Sequence, residues 1–113
     1  MSGDVKEFLE KFARDLEKMK GDLPDMVKGF GTLFQNVMKD GVLRTKEKEL
    51  IALGIAVAQR CAPCINLHVQ KCLAAGATRE EILEASGVAV MMQGGPAYTH
   101  VPLVLDALEA LGK

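Results

Sequence analysis

Apolar residues recur along most of this chain with the 3.6-residue period of an α-helix, and strand-like alternation is almost absent. Val5, Phe8, Leu9, Phe12, Leu16 and Met19 share one face, with charged residues between them. This spacing predicts an amphipathic helix from Asp4 to Lys20, broken by Gly21. Asp22 is suited to cap a second helix and Pro24 to sit in its first turn. Met26, Val27, Phe30, Phe34, Val37 and Met38 give that helix its apolar face, and Asp40-Gly41 stops it. Thr45 is the expected cap of a third helix, from Lys46 to about Gln59. Its first half is charged. Its second half, Leu50 to Ala58, has no polar side chain and is expected to be buried. Gly54 lies in the middle at a cost in helix propensity, which predicts close approach of another helix there.

Pro63 opens a fourth helix that runs to about Ala75 and stops at Gly76. Thr78 and Glu81 have the spacing of a capping box and start a fifth, largely apolar helix. Gly94-Gly95-Pro96 ends it, and a last helix is expected from about Ala97 to Leu111. The fold class is therefore all-α, about six helices joined by short turns. A length of 113 residues suits a single domain.

Helices that are apolar nearly all round need more cover than one small subunit supplies, so a homo-oligomer is expected. The formal net charge is −1, there is no dense basic run and aromatics are scarce, which argues against nucleic acid. The longest apolar stretch is too short to span a bilayer, so no membrane partner is expected. The charged N-terminal helix lacks the apolar core of a signal peptide, and the expected location is the cytoplasm. Three cysteines, two of them close together, do not look like a secreted disulfide framework.

The candidate chemistry lies in Glu49-x11-Cys61-Ala62-Pro63-Cys64-x3-His68. Cys61 and Cys64 stand three residues apart at a predicted helix start, within disulfide reach. The unpaired N–H groups and positive dipole end of a first helical turn favour a thiolate, the reactive form of cysteine. His68 follows Cys64 by four residues, which stacks it one turn on along the same face, where an imidazole can act as general base. Glu49 sits at the edge of the buried apolar segment, where a partly desolvated carboxylate suits acid-base work and can orient His68.

Other readings of the same residues stay open. The cysteines are also compatible with inert core thiols, or with a zinc site completed by His68 and Glu49, as in a metal-binding or redox-sensing module. A structural zinc site usually draws on a second, separated ligand pair, which this chain lacks. An acid-base enzyme acting on a carbon substrate, with incidental cysteines, is a third reading. Cys72 fits a small core residue better than a redox partner, and His100 fits a structural or interface role better than a pocket one.

The pattern resembles the carboxymuconolactone decarboxylase-like superfamily, and within it the alkylhydroperoxidase D-like branch. That branch carries Glu-x11-Cys-x2-Cys-x3-His, and Glu49, Cys61, Cys64 and His68 match all four positions. The likeness extends from Leu43 to Ala97, about half the chain, and ends at the Gly94-Gly95-Pro96-Ala97 turn. The resemblance implies an all-α bundle that assembles as a trimer or as a hexamer built from dimers. It implies an antioxidant oxidoreductase: Cys64 attacks a hydroperoxide, Cys61 resolves the sulfenic acid into a disulfide, and His68 and Glu49 relay protons. A hydroperoxide or partner disulfide is the implied substrate, with a dithiol or lipoyl-type reductant and no metal or other cofactor. Some members place a second histidine between the two cysteines, where this chain has Ala62 and Pro63. The decarboxylase branch does not rely on a cysteine pair, so lactone decarboxylation is not implied.

Overall fold

The periodic segments become six longer helices and one short helical turn. The computed structural model describes residues 2–113, with side chains from residue 4 onward. The helices are α1 (Ser2–Asp22), α2 (Pro24–Met38), α3 (Thr45–Ala58), α4 (Ala62–Ala74), α5 (Arg79–Gln93), α6 (Gly95–Tyr98) and α7 (Val101–Ala110). No strand occurs among the described residues.

The boundaries depart from the sequence pattern at four places. Gly21 does not break α1, which continues to Asp22. Leu23, not Asp22, takes the N-cap position of α2, and no side chain caps that helix. Thr45 is the first residue of α3 and not its cap: its hydroxyl donates to the Met38 carbonyl at 2.7 Å, tying α3 back to the end of α2. The predicted last helix is split, because the chain turns at Thr99-His100 between α6 and α7. The capping box at α5 forms as its spacing predicts, with Thr78 Oγ1 accepting from the Glu81 amide and Glu81 Oε1 accepting from the Thr78 amide.

α3 packs mainly on α4 and α5, and α7 closes over α4 and α1. Leu53 and Val57 of α3, Ile65 and Val69 of α4, Ile82 of α5, and Val104 and Leu108 of α7 meet in a core with no solvent exposure. Burial of side chains of this size contributes about 1.5–3 kcal/mol each, the main favourable term in a fold this small. Gly54 faces α5 as expected: a methyl there would stand 3.6 Å from the Ala85 carbonyl oxygen.

The expectation that the apolar half of α3 is wholly buried does not hold. Ile51 and Ile55 are 53% and 56% exposed, and Val88, Met91 and Met92 of α5 are also exposed. A helix packed on two neighbours leaves a stripe uncovered, and in α3 that stripe is apolar. The result is a groove of about 380 Å³ lined by Ile51, Ile55, Val88 and Met92, among others. α2 carries no buried residue, and its Met26, Phe30, Leu33 and Val37 are exposed too.

Candidate functional site

The turn from α3 into α4 sets the geometry of the site. α3 ends at Ala58 with Gln59 as its C-cap, and Arg60 adopts a left-handed conformation with φ of 56°. The Cys61 amide then donates back to the Ala56 carbonyl at 3.0 Å, closing the helix end in the manner of a Schellman turn. Glycine is the usual residue for such a turn, because a Cβ there costs about 1–2 kcal/mol. The chain places that strained residue directly before Cys61.

Cys61 is the N-cap of α4, and Pro63 sits in the first turn, where its missing N–H is not needed. Cys61 and Cys64 are joined as a disulfide, with their α-carbons 5.2 Å apart. Cys61 Sγ also accepts the Cys64 amide N–H at 3.3 Å. A free donor of the helix start is thus directed at Cys61. Both cysteines are half-buried.

One turn further along α4, His68 reaches across to α3. Its Nδ1 lies 2.8 Å from Glu49 Oε1. Against an ionised carboxylate, which only accepts hydrogen bonds, the imidazole would carry its proton on Nδ1 and leave Nε2 free to take one. Glu49 is 3% exposed, and the His68 side chain is 20% exposed. The pair therefore sits at the edge of the core, with the imidazole open to solvent on one side. Among the described residues no hydrogen bond joins the imidazole to either sulfur. A rise of about 6 Å over four residues leaves that step to a water or a substrate.

Two residues that the sequence reading left aside complete the surroundings. The Phe34 ring of α2 stacks on His68 with centroids 6.5 Å apart. Lys71 Nζ stands 4.8 Å from the centroid of the same ring. No local pattern flags Phe34, because it reaches α4 from a distant helix. Cys72 is fully buried among core residues, and burial, helped by the negative charge of Glu49, pushes its thiol up to about 12. His100 bonds the Pro96 carbonyl through Nδ1 at 2.8 Å and occupies the N-cap position of α7, a structural placement. No group of three or more His, Cys, Asp or Glu side chains among the described residues is placed to hold a metal ion. Nor is any described helix long and apolar enough to cross a membrane.

Comparison with known proteins adds a family to this geometry. The model of the carboxymuconolactone decarboxylase family matches residues 24–107. The chain is 39% identical over 82 residues to uncharacterized protein 4 in the cox locus of Paracoccus denitrificans, spanning 73% of this chain and 74% of that one. An uncharacterized protein of Cupriavidus necator is 30% identical over 111 residues, 98% of both chains. Among solved structures, an apo carboxymuconolactone decarboxylase family protein from Legionella pneumophila superposes with a TM-score of 0.92 at 39% identity, covering 97% of this chain and 98% of that one. A Thermotoga maritima member of the same family, suggested to act in antioxidative response, superposes with a TM-score of 0.80 at 34% identity, over 94% and 90% of the two chains.

Proposed function

The chain belongs to the carboxymuconolactone decarboxylase family, and from that premise we propose that it is a thiol-disulfide oxidoreductase of the alkylhydroperoxidase type, reducing hydroperoxides or partner disulfides. The observation that carries this reading is the His68–Glu49 pair, one helical turn beyond the Cys61–Cys64 disulfide on α4.

In the reduced protein, His68 Nε2 takes the thiol proton of Cys64. The Cys64 thiolate attacks the outer peroxide oxygen, the O–O bond breaks, and the leaving alkoxide receives the proton that His68 held. The products are an alcohol and a Cys64 sulfenic acid. Cys61 then attacks the sulfenic sulfur, a disulfide forms and water leaves. A dithiol or lipoyl-type reductant restores both thiols and is itself oxidised to a disulfide. Glu49 holds the imidazole in the Nδ1–H tautomer and stabilises the imidazolium as it forms. The amide that Cys61 accepts favours a thiolate on that sulfur, which suits it both to resolve the sulfenic acid and to leave when the disulfide is opened.

The exposed apolar groove between α3 and α5 supports a homo-oligomer, because a patch of large apolar side chains on a small subunit usually marks an interface. The trimer or hexamer of the alkylhydroperoxidase branch is the expected assembly.

Counting free thiols before and after a hydroperoxide pulse, with mass mapping of the product, tests the activity. The expected result is loss of two thiols as a Cys61–Cys64 bond that a dithiol reverses. Cys64→Ser abolishes peroxide consumption, and Cys61→Ser stops at an oxidised Cys64 or a mixed disulfide. Peroxide consumption that survives alkylation of both thiols would overturn the reading.

A further inference from the structure

α2 buries none of its own residues, yet it delivers one ring to the site. Phe34 stacks on His68 at 6.5 Å with the ring planes 27° apart, within the range of attractive aromatic pairs. His68 and Lys71 are three residues apart on α4, so they share a face. The Lys71 ammonium, 4.8 Å from the Phe34 centroid, lies within reach of the ring quadrupole. Phe34 therefore touches two neighbouring side chains of α4, and one of these is the proton carrier.

The end of α2 is fastened to the turn of α3 that supplies Glu49. Lys48 Nζ donates to the Val37 and Lys39 carbonyls, each at 2.7 Å, satisfying acceptors that a helix end leaves open. The Thr45 hydroxyl donates to the Met38 carbonyl. Lys48 immediately precedes Glu49, so one turn of α3 fixes both the carboxylate and the helix that carries Phe34.

We propose that Phe34 is a positioning residue: it holds the His68 ring against Glu49 and keeps water from the Nδ1–H···Oε1 bond, while Lys48 and Thr45 hold Phe34 in place. The inference rests on the reading of His68 as the proton carrier, but its test does not depend on turnover. Glu49 from α3 and Phe34 from α2 both meet the His68 ring. Of these, Phe34 alone offers a flat apolar cover. Without that cover, water competes for both ends of the bond and the ring proton leaves more often.

The chain has two histidines, so the ring signals of His68 separate from those of His100, which serves as an internal control. The experiment is nitrogen-edited NMR of the full-length disulfide protein, measuring exchange of the imidazole Nδ1 proton with water. In Phe34→Ala the His68 proton exchanges about tenfold faster while His100 is unchanged, because each exchange requires a local opening that the ring opposes. Phe34→Tyr keeps the slow rate, and Lys48→Met shifts it in the same direction as Phe34→Ala. A folded Phe34→Ala protein with wild-type exchange at His68 overturns the proposal. If Phe34→Ala does not fold, Phe34→Leu decides: it keeps apolar contact without a flat ring, and several-fold faster exchange supports the proposal whereas an unchanged rate overturns it. Peroxide consumption is measured separately. A wild-type protein that consumes no hydroperoxide refutes the proposed function, and the exchange rates still decide the role of Phe34.

Discussion

Glu49→Gln replaces one carboxylate oxygen by an amide nitrogen and keeps the shape of a side chain that is 3% exposed. The glutamine oxygen can still accept from His68 Nδ1, a bond that Glu49 makes at 2.8 Å, but without charge. A hydrogen bond to a charged group contributes about 1.5–3 kcal/mol and a neutral one about 0.5–1.5, so the variant gives up about 1–1.5 kcal/mol of support for an imidazolium. If that support is needed in the transition state, disulfide formation slows by about five- to thirteenfold. The same exchange removes a charge from a nearly dry position, so the folded protein is expected to be at least as stable as wild type. Slower chemistry without lost stability distinguishes a catalytic carboxylate from a structural one. The chain has no tryptophan to report the reaction by its fluorescence, so the assay is rapid mixing with hydroperoxide, quenching with a maleimide and counting free thiols by mass. A folded Glu49→Gln protein that closes the Cys61–Cys64 bond at wild-type speed refutes the role given to Glu49. A fall in rate matched by a fall in melting temperature reassigns Glu49 to the scaffold.

Four further outcomes are expected. In the reduced protein at pH 8, iodoacetamide labels Cys61 and Cys64 but leaves Cys72 intact by peptide mapping, since burial pushes its thiol from 9.0 up to about 12. Because folding raises that value, the folded state keeps a proton that the unfolded chain releases; the contribution is complete below pH 9.0 and is lost as pH rises toward about 12, visible as falling urea midpoints in alkali. Arg60→Gly relieves a left-handed residue at a cost of about 1–2 kcal/mol but adds about 0.5–1 kcal/mol of unfolded-chain freedom, so urea unfolding should show a net gain of about 0.5–1 kcal/mol. Ile55→Lys puts a charge into the groove of α3 and α5; sedimentation should show a folded, smaller species, and a wild-type protein already monomeric at micromolar concentration refutes the interface.

Much of the molecule was legible because its signals are local. The α5 capping box is a four-residue pattern, and the structure forms it with both reciprocal bonds. Cys61, Cys64 and His68 lie within two turns of one helix, so spacing alone predicts their shared face. The meeting of Glu49 with His68 depends on how α3 packs against α4, and spacing cannot fix that; the edge of the apolar segment pointed to Glu49, and the family resemblance pointed to it more strongly. The exposed stripe of Ile51 and Ile55 was hidden for a different reason: a wholly apolar segment has no polar face to show which side is left uncovered. Phe34 was missed because an aromatic residue on an amphipathic helix looks like ordinary core. Thr45 was misplaced because a hydroxyl that can cap its own helix can also bond another one, and here it bonds Met38.

His68 and Glu49 are only 19 residues apart, and α3 and α4 are joined by a tight turn. Closing so short a loop costs little entropy, and contacts at this separation form early when a small chain folds. The proposed reactive centre therefore resides in one helical hairpin, and α7 lies outside that hairpin. A change in such an outer helix alters the surface offered to other molecules and leaves the hairpin's own contacts in place.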